Sequence, residues 1–396
     1  MYLEARSLLK SISRITDPIR LGVVGLGRGF TLTAPSILET EYVDLIACAA
    51  PRKESRDAFT KVFSGQAYDN LGRLLDDPQV EAVHIATPHQ MHADMTEICA
   101  AAGKHVLVEK PMAVTLDEGT RMVRACDRNN VKLIVGPSHS FDAQILEAKA
   151  LIDQGLFGDV LAIQALNYTD FMYRPRRGEE LRTEDGGGII FSQGAHQIDV
   201  VRLLAGVSVA QVFAVTGSWD PLRNAEVTYQ AILNFQGRVT AQCTYSGYAH
   251  FDSDEWMDWL GEIGSKKDSS VYGKARSLLK GLDQEQEISE KRRRTFGVGQ
   301  SLVPAIHNEH FGPLIVQCRE ADLRITPKAI EVYGHSERRS IPVPVQGTPR
   351  GPVFRALYQS IRYDRNPVQT GRWCLDTLAV CHAIIESART SEPVNF

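Results

Sequence analysis

The feature that most constrains this chain is a glycine-rich turn between a short apolar run and a helical pattern. The apolar residues 21–25 lead into the turn at 25–30. A strand, a Gly-x-Gly turn and a helix N-terminus place backbone N–H groups where they can bind a pyrophosphate. A phenylalanine stands at the third glycine position of that fingerprint, so the match is partial. We expect the cofactor-binding residues of this turn to be Gly25, Gly27, Arg28 and Phe30.

A second apolar run at 43–49 predicts the next strand of this βαβ unit. In dinucleotide-binding folds an acid near the end of this strand binds the ribose 2′-hydroxyl of NAD. The chain has Arg52 and Lys53 there instead. These side chains could pair with a 2′-phosphate, so the pattern favours NADP slightly over NAD. A basic first turn of a surface helix would give the same residues, and both interpretations stay open.

Strand-like and helical patterns continue to alternate up to residue 135. This alternation indicates βαβ units around a parallel sheet, whose carboxyl edge is where open α/β sheets bind ligands. We predict strands at 82–86, 105–108 and 132–135, and helices at 91–102 and 116–129.

Two turns are expected at that carboxyl edge, and we predict that both contact the cofactor, the first through Glu109 and Lys110. The strand at 105–108 ends in Glu109 and Lys110, because the proline that follows cannot continue a strand ladder. The strand at 82–86 is followed by a histidine-bearing turn. No acid or cysteine stands at ligand spacing from its histidines, so we predict contact with a cofactor and no metal site. The residues of this second turn are Thr87, Pro88, His89 and His92.

After residue 141 the βαβ rhythm stops. A helix is followed by alternating stretches at 160–168, 209–216, 226–235 and 240–245, which predict an α+β domain with a mostly antiparallel sheet. A segment with two basic clusters at 264–299 is predicted to be a polar insertion, typical of a solvated or mobile segment, a lid or an oligomer arm. The predicted divisions are an N-terminal extension at 1–16, a dinucleotide-binding domain at 17–136 and a C-terminal domain at 137–396.

Composition excludes several classes of protein. The chain has 396 residues and a net charge of -4, which gives no general attraction to nucleic acid or to an anionic membrane. No apolar run reaches the length of about 18 residues that a membrane span needs. Its seven cysteines are odd in number and form no Cys-x-x-Cys pair. They favour reduced thiols and a cytoplasmic location.

Four motifs together resemble the Gfo/Idh/MocA oxidoreductase family, over nearly the whole chain. The resemblance implies a Rossmann domain that binds NAD or NADP and a second domain with an open-faced sheet. It also implies a small-molecule substrate and a homo-oligomer, either a dimer or a tetramer. The motifs are Gly25-x-Gly27, Thr87-Pro88-His89-x-x-His92, Glu109-Lys110-Pro111 and the glycine-rich stretch 186–199 that contains His196.

The resemblance also implies the catalytic residues. Lys110 corresponds to the catalytic lysine of the family, and His196 corresponds to its motif histidine. Ser192 stands where the family usually has aspartate. Lysine, with an ordinary pKa of about 10.4, is a poor base near neutrality, whereas histidine needs no such tuning. We therefore expect His196 to accept the substrate proton and Lys110 to hold and polarise the hydroxyl.

Three arginines with aromatic neighbours precede the histidine motif. Guanidinium groups bind carboxylates through paired hydrogen bonds, so an anionic ring fits them better than a neutral polyol. Within the family this stretch resembles most the bacterial dehydrogenases that oxidise the cis-4,5-dihydrodiol of phthalate to 4,5-dihydroxyphthalate. A surface or subunit-contact loop, a sugar or inositol dehydrogenase, and a non-catalytic dinucleotide sensor stay open as alternatives. The expected substrate-binding residues are Lys110, Arg174, Arg176, Arg177, Ser192 and His196.

Overall fold

The computed structural model describes residues 15–298 and 302–396. Most of the N-terminal extension predicted at 1–16, and residue 299 at the end of the predicted insertion, lie outside these residues. The chain forms two compact units. Unit 1 comprises the described parts of Met1–Pro137, Arg292–Pro304 and Arg350–Leu375, and unit 2 comprises Ser138–Lys291, Ala305–Pro349 and Asp376–Phe396.

Unit 1 is built on a parallel sheet of six strands, which confirms the predicted Rossmann-type architecture. The strand order β3-β2-β1-β4-β5-β6 brings the first and fourth strands together at the centre. The central strands are short aliphatic runs that are buried on both faces, as parallel sheets require. The strands are β1 (Ile19–Val24), β2 (Val43–Ala49), β3 (Gln66–Tyr68), β4 (Ala82–Ile85), β5 (His105–Val108) and β6 (Leu133–Val135).

Helices connect these strands, and a helix from late in the sequence joins them. The late helix buries Val353, Phe354 and Leu357, and Arg350 beside it donates a hydrogen bond to the Thr33 hydroxyl at 3.4 Å. The helices whose residues lie in unit 1 are α1 (Arg28–Glu39), α2 (Lys53–Phe63), α3 (Leu71–Leu75), α4 (His92–Ala101), α5 (Leu116–Arg128) and α10 (Gly351–Tyr363).

Unit 2 contains a nine-stranded sheet in the order β14-β13-β12-β11-β7-β10-β9-β8-β15. Only the β7–β10 pair among these described strands is parallel, so the predicted mostly antiparallel sheet is confirmed. Buried and exposed residues alternate along the strands, which leaves one face covered. The strands are β7 (Val160–Tyr168), β8 (Val209–Gly217), β9 (Thr228–Phe235), β10 (Thr240–Ser246), β11 (Leu314–Cys318), β12 (Ala321–Ile325), β13 (Ala329–Gly334), β14 (Arg338–Pro342) and β15 (Val394–Asn395).

In unit 2, the helix Ala143–Asp153 contacts β12 and β13, and the helix Ala195–Ala205 contacts β7 and β10. Two further helices lie in the predicted insertion. None of the described helices in the chain is long and apolar enough to span a membrane. The helices of unit 2 are α6 (Ala143–Asp153), α7 (Ala195–Ala205), α8 (Lys274–Leu279) and α9 (Gln284–Arg292, whose last residue belongs to unit 1); α11 (Gly371–Thr390) contributes residues to both units.

Candidate active site

The predicted cofactor residues of unit 1 lie along one edge of its sheet. Because all six strands are parallel, the turns that follow β1, β2, β4 and β5 emerge at the same edge. These turns carry the glycine fingerprint, the two basic residues, the histidine turn and the Glu-Lys-Pro motif in that order along the chain.

The glycine turn has the shape that a pyrophosphate requires. Gly25 has a φ of +90°, and a Cβ placed on it would lie 2.7 Å from the carbonyl oxygen of Ala86. Gly27 precedes α1, and no side chain caps the first turn of that helix. The first turn of α1 also contains no acid. Its N–H groups and the positive end of the helix dipole therefore fit a dinucleotide phosphate.

Phe30 supports this turn from the inside. Its side chain is fully buried, and its ring centroid lies 5.9 Å from that of Phe63 and 5.0 Å from that of Phe296. The missing third glycine is thus replaced by a core residue. Only the backbone of Phe30 could contact a cofactor, whereas the side chain of Arg28 is partly exposed at the first position of α1.

Arg52 and Lys53 lie on the surface after β2. The Arg52 side chain donates to the Thr295 hydroxyl at 3.1 Å, and Lys53 forms an exposed ion pair with Asp57. The Arg56 guanidinium donates to two backbone carbonyls of the same loop and fixes its shape. Two cations therefore flank the position where a Rossmann fold binds the adenosine ribose.

His92 joins the histidine turn to the Glu-Lys-Pro turn. Its ring is fully buried, with Nδ1 3.0 Å from the Pro111 carbonyl and Nε2 3.0 Å from the Thr87 carbonyl. Burial lowers the pKa of His92, so the neutral ring donates to one carbonyl at a time. His89, in contrast, is partly exposed at the start of the helical turn. The geometry gives His92 a supporting position and leaves Thr87, Pro88 and His89 nearer the solvent.

Glu109 and Lys110 differ in exposure at the end of β5. The Glu109 carboxylate is buried, 3.4 Å from Nε2 of His84, and it lies close to Gly29 in the first turn of α1. Lys110 is partly exposed and precedes a cis peptide bond to Pro111. The acid is thus buried at the end of β5, whereas the lysine that follows it is partly exposed.

In unit 2, the histidine motif forms a π-helical turn that runs directly into α7. This turn covers Ile190–Gly194, and the Ser192 hydroxyl donates within it to the Gly188 carbonyl. His196 follows in the first turn of α7 and is 6% exposed. Ser192 therefore uses its hydroxyl in a local backbone contact of the kind that helical serines make.

A serine connects His196 to a buried acid. Nδ1 of His196 lies 3.4 Å from Oγ of Ser138, and that hydroxyl donates to Oδ2 of Asp199 at 2.8 Å. Ser140 donates to the same carboxylate oxygen at 2.5 Å. Asp199 is 3% exposed and lies one turn beyond His196 on α7.

A second histidine packs against His196. The His139 ring centroid lies 4.7 Å from that of His196 in an edge-to-face arrangement, and Phe311 contacts both rings. Nδ1 of His139 lies 2.8 Å from Oδ2 of Asp142, and Nε2 lies 3.8 Å from Oε1 of Glu262. Burial alone would lower the pKa of His139, but Asp142 and Glu262 raise it to about 10.

His139 and Asp142 are joined by a hydrogen bond rather than by a metal ion. His139, Asp142 and Glu309 bring metal-ligand atom types within 4.8 Å of one another. Two ligands of one tetrahedral zinc ion would lie roughly 3.3 Å apart, however, and the 2.8 Å contact is the length of a charge-assisted hydrogen bond. Burial raises the pKa of Asp142 and His139 opposes this rise, while Asp142 raises the pKa of His139. These directions fit a charge-assisted hydrogen bond between the two side chains.

Of the three predicted substrate arginines, the structure brings one to this cluster. Arg174 lies 3.9 Å from Glu262, which in turn contacts His139. It also donates to the Thr169 hydroxyl at 3.2 Å, and its side chain is 31% exposed. Arg174 is thus connected to His196 through two charged side chains.

The other two arginines contact residues of their own loop. Arg176 is buried, lies 3.7 Å above the Phe171 ring and donates to the Phe171 carbonyl at 2.8 Å. Arg177 pairs with Glu179 and Glu180. Their contacts are those of residues that fix a loop conformation.

No prediction from the sequence covers His139, Asp142 or Glu262. His139 nevertheless packs against His196, and the two acids contact His139. The stretch 138–142 directly follows β6 and contains a histidine and an aspartate three residues apart. That spacing was a usable signal for the His139–Asp142 pair. Glu262 had none, since it lies in an irregular segment far away in the sequence.

Comparison with known proteins agrees with this geometry. Residues 19–137 match the model of the oxidoreductase family with an NAD-binding Rossmann fold, and residues 145–266 match the GFO/IDH/MocA C-terminal domain. A dehydrogenase of 1-carboxy-3-chloro-3,4-dihydroxycyclohexa-1,5-diene from Comamonas testosteroni is 43% identical over 94% of this chain and 95% of its own. An NADP⁺-dependent scyllo-inositol 2-dehydrogenase from Bacillus subtilis is 31% identical over 52% of this chain and 56% of its own.

A solved structure covers the same span. A protein described as a dehydrogenase from Bordetella bronchiseptica superposes with a TM-score of 0.91 at 36% identity, over 96% of this chain and all of its own. Both family models, the full-length relative and the two sheets point to one assignment. The chain belongs to the Gfo/Idh/MocA family of NAD(P)-dependent oxidoreductases.

Proposed function

We propose that this enzyme oxidises a carboxylated cyclic cis-dihydrodiol to the corresponding catechol, with the cis-4,5-dihydrodiol of phthalate as its substrate. The observation that carries the proposal is the position of Arg174, which joins the His196 cluster through Glu262 and His139. A guanidinium group in this cluster supports recognition of a carboxylate. The full-length relative named above acts on a carboxylated dihydroxycyclohexadiene, which supports the same substrate class.

The proposed roles of the residues follow from their chemistry. His196 accepts the proton of the hydroxyl that is oxidised, and Lys110 donates a hydrogen bond to the oxygen of that hydroxyl. The nicotinamide ring, when bound, supplies the redox chemistry by accepting the hydride from the carbinol carbon. The ketone that results tautomerises to a catechol, because the ring gains aromaticity. The Glu109 carboxylate lies 3.4 Å from Nε2 of His84, and Lys110 is the residue of this turn whose side chain carries hydrogen-bond donors.

The proposed cofactor site is the edge of the unit 1 sheet. Gly25, Gly27 and the first turn of α1 would hold the pyrophosphate, and Thr87, Pro88 and His89 would line the nicotinamide side. Arg52 and Lys53 support a preference for NADP over NAD, since both cations flank the position of the 2′-phosphate.

The direct test is reduction of NAD⁺ and NADP⁺ by the purified enzyme with a matched substrate panel. The panel contains the cis-4,5-dihydrodiol of phthalate, a monocarboxylated cis-dihydrodiol, the diol without carboxylates, and inositols and sugars. We expect turnover with the carboxylated diols alone. Turnover of sugars but not of diols would overturn the substrate class. If no substrate turns over while the cofactor binds tightly, a dinucleotide sensor becomes the better description.

A pair of variants tests the role of Arg174. Arg174→Gln should raise the KM for a carboxylated diol roughly 10- to 150-fold, the loss of one charge-assisted contact. Arg182→Gln is the matched control, because Arg182 is half-exposed on the same loop and pairs with Asp185. Equal KM values for the two variants would contradict the assignment of Arg174.

A further inference from the structure

The position of one proton in unit 2 can be deduced from the contacts of Ser138. A serine hydroxyl has a single hydrogen and can donate only one strong hydrogen bond. Oγ of Ser138 lies 2.8 Å from the Asp199 carboxylate, which can only accept. The hydrogen of Ser138 is therefore committed to Asp199.

Because its hydrogen is donated to Asp199, the Ser138 hydroxyl can only accept a hydrogen bond from His196. Nδ1 of His196 lies 3.4 Å from the same Oγ atom, which has only lone pairs left to offer. The contact is a hydrogen bond only if Nδ1 carries a hydrogen. Nε2 then carries the lone pair of the neutral ring.

We propose that Ser138 is a positioning residue that links His196 to Asp199 and holds His196 in the tautomer with the hydrogen on Nδ1. The Asp199–Ser138–His196 relay supplies the orienting acid through a hydroxyl, at a site where Ser192 uses its own hydroxyl on the Gly188 carbonyl. All three members of the relay are buried, so the contacts are formed in a region of low dielectric constant.

The relay gives His196 a defined role in proton transfer. With Nδ1 occupied, Nε2 is the only ring nitrogen that can accept a proton. When it does, the positive charge on the ring is stabilised through Ser138 by the Asp199 carboxylate, without a proton moving to Asp199. This use of the relay rests on the proposed oxidation of a hydroxyl by His196, whereas the tautomer itself does not depend on any substrate.

The tautomer is measured directly by nitrogen NMR on protein labelled with ¹⁵N-histidine. Spectra are recorded without substrate near pH 8, above the ordinary histidine pKa of about 6.5. The His196 signals are assigned by their loss in His196→Gln. We expect a protonated Nδ1 and an unprotonated Nε2 in the wild-type protein, retained in Ser138→Thr and lost or averaged in Ser138→Ala.

A matched variant separates the relay from the packing of Asp199. Ser140→Ala removes the other hydroxyl that donates to Oδ2 of Asp199 but leaves the contact between Ser138 and His196 in place. It should keep the wild-type tautomer of His196. In the kinetic assay, Ser138→Ala should lower kcat roughly 10- to 100-fold with little change in KM. Ser138→Thr should restore most of that loss.

The outcomes distinguish the relay from the proposed function. If the NMR signature is as expected and no diol turns over, the substrate assignment is wrong and the relay stands. If a carboxylated diol turns over but the hydrogen of His196 is on Nε2, the relay is wrong and the function stands. A tautomer unchanged in Ser138→Ala would also overturn the relay.

Discussion

Gly25 meets two separate demands that a side chain would violate. Its φ of +90° lies in the left-handed region, and the space where a Cβ would stand is filled by the Ala86 carbonyl. We predict that Gly25→Ala lowers cofactor affinity by at least tenfold and destabilises unit 1 by about 2 kcal/mol or more, because the turn must shift. Cofactor titration by fluorescence and urea denaturation measure the two effects.

Gly103 provides the matched control for this substitution. Its φ is +71°, but a Cβ on it would meet nothing within 4 Å. Gly103→Ala should therefore cost only the backbone strain of about 1 kcal/mol and leave cofactor binding unchanged. If both variants bind the cofactor as the wild-type protein does, the close approach at Gly25 has no role in the site.

Arg52 allows the cofactor preference to be tested at a single residue. Replacing it with alanine removes one cation from the loop after β2, while Arg56 continues to hold the loop carbonyls. Arg52→Ala should raise the KM for NADP⁺ about tenfold and change that for NAD⁺ by less than about twofold. Lys61→Ala, an exposed change on helix α2, which follows Arg52, should alter neither value. An equal rise in the KM values for NADP⁺ and NAD⁺ would show that Arg52 does not bind the 2′-phosphate.

At the scale of elements, helix α9 of the insertion contacts the loop at 174–182, which carries the three predicted substrate arginines. Glu287 accepts bonds from the Arg223 guanidinium at 2.8 and 3.2 Å and from the backbone N–H of Arg176 at 2.7 Å. Lys291 on the same helix pairs with Glu180 at 2.6 Å. Burial raises the pKa of Glu180, but its cationic neighbours bring that pKa down to about 2. The helix thus acts as a fixed support of the loop that carries Arg174.

Removing the contacts of Glu287 should make the loop at 174–182 more mobile. Glu287→Gln leaves the buried Arg223 guanidinium without a charged partner, which costs about 3 kcal/mol of unfolding free energy. It should also raise the KM for substrate and speed proteolysis between residues 174 and 182. Glu285→Gln, an exposed change on the same helix, should stay within about 0.5 kcal/mol of the wild-type protein. Proteolysis as slow in Glu287→Gln as in that control would show that α9 does not hold the loop.

Periodic patterns predicted most of the strands of unit 1, but not the contacts between segments that are far apart in the sequence. The strand 105–108 coincides with β5, because a buried aliphatic run that ends in proline has little freedom. The charges of the insertion predict a solvated or mobile segment. In the structure, however, Glu287 contacts Arg176 and Arg223, and Lys291 pairs with Glu180, which lies 111 residues earlier. Local patterns contain no information on such distant ion pairs.

The same limit applies to the candidate site. Lys110 and His196 were found because their motifs are contiguous, and their catalytic roles stay predictions. The link from His196 to Ser138 joins residues 58 positions apart, and the contact of Glu262 with His139 depends on an irregular loop. The strands β11–β14 were also not predicted, although Pro327 and Gly334 stand at two of the turns between them.

At the scale of the whole molecule, unit 1 contains a late segment, Arg350–Leu375, which contacts the last strand of its parallel sheet. Residue Ile134 of β6 bridges to Thr370, and the Val135 N–H donates to the Gln369 carbonyl at 3.2 Å. The parallel sheet is therefore completed at its β6 edge by residues from the last tenth of the chain. The sequence predicted one boundary near residue 137, because nothing in a local pattern reveals which core a distant helix joins.

The pH dependence of stability in unit 2 should reflect four buried groups: a histidine, a lysine and two cysteines. The pKa of His139 is about 10 in the folded chain against 6.5 for an ordinary histidine, so its contribution is complete below pH 6.5 and is lost as pH rises toward 10. Burial lowers the pKa of Lys291 to about 8 from 10.5, so its contribution increases with pH above 8. Burial raises the pKa of Cys243 and Cys381 to about 12, which costs stability above pH 9.

These signs predict a stepped profile for the unfolding free energy of unit 2. It should fall between pH 6.5 and 8 with a slope of at most about 1.4 kcal/mol per pH unit, level off between pH 8 and 9, and fall again above pH 9. Urea denaturation at closely spaced pH values measures this profile. In Lys291→Met the level stretch should disappear, because the opposing lysine is gone while folded His139 still keeps a proton that the unfolded chain has lost. A level stretch that persists in Lys291→Met, or a stability that rises from pH 6.5 to 8, would show that His139 is not held as an imidazolium.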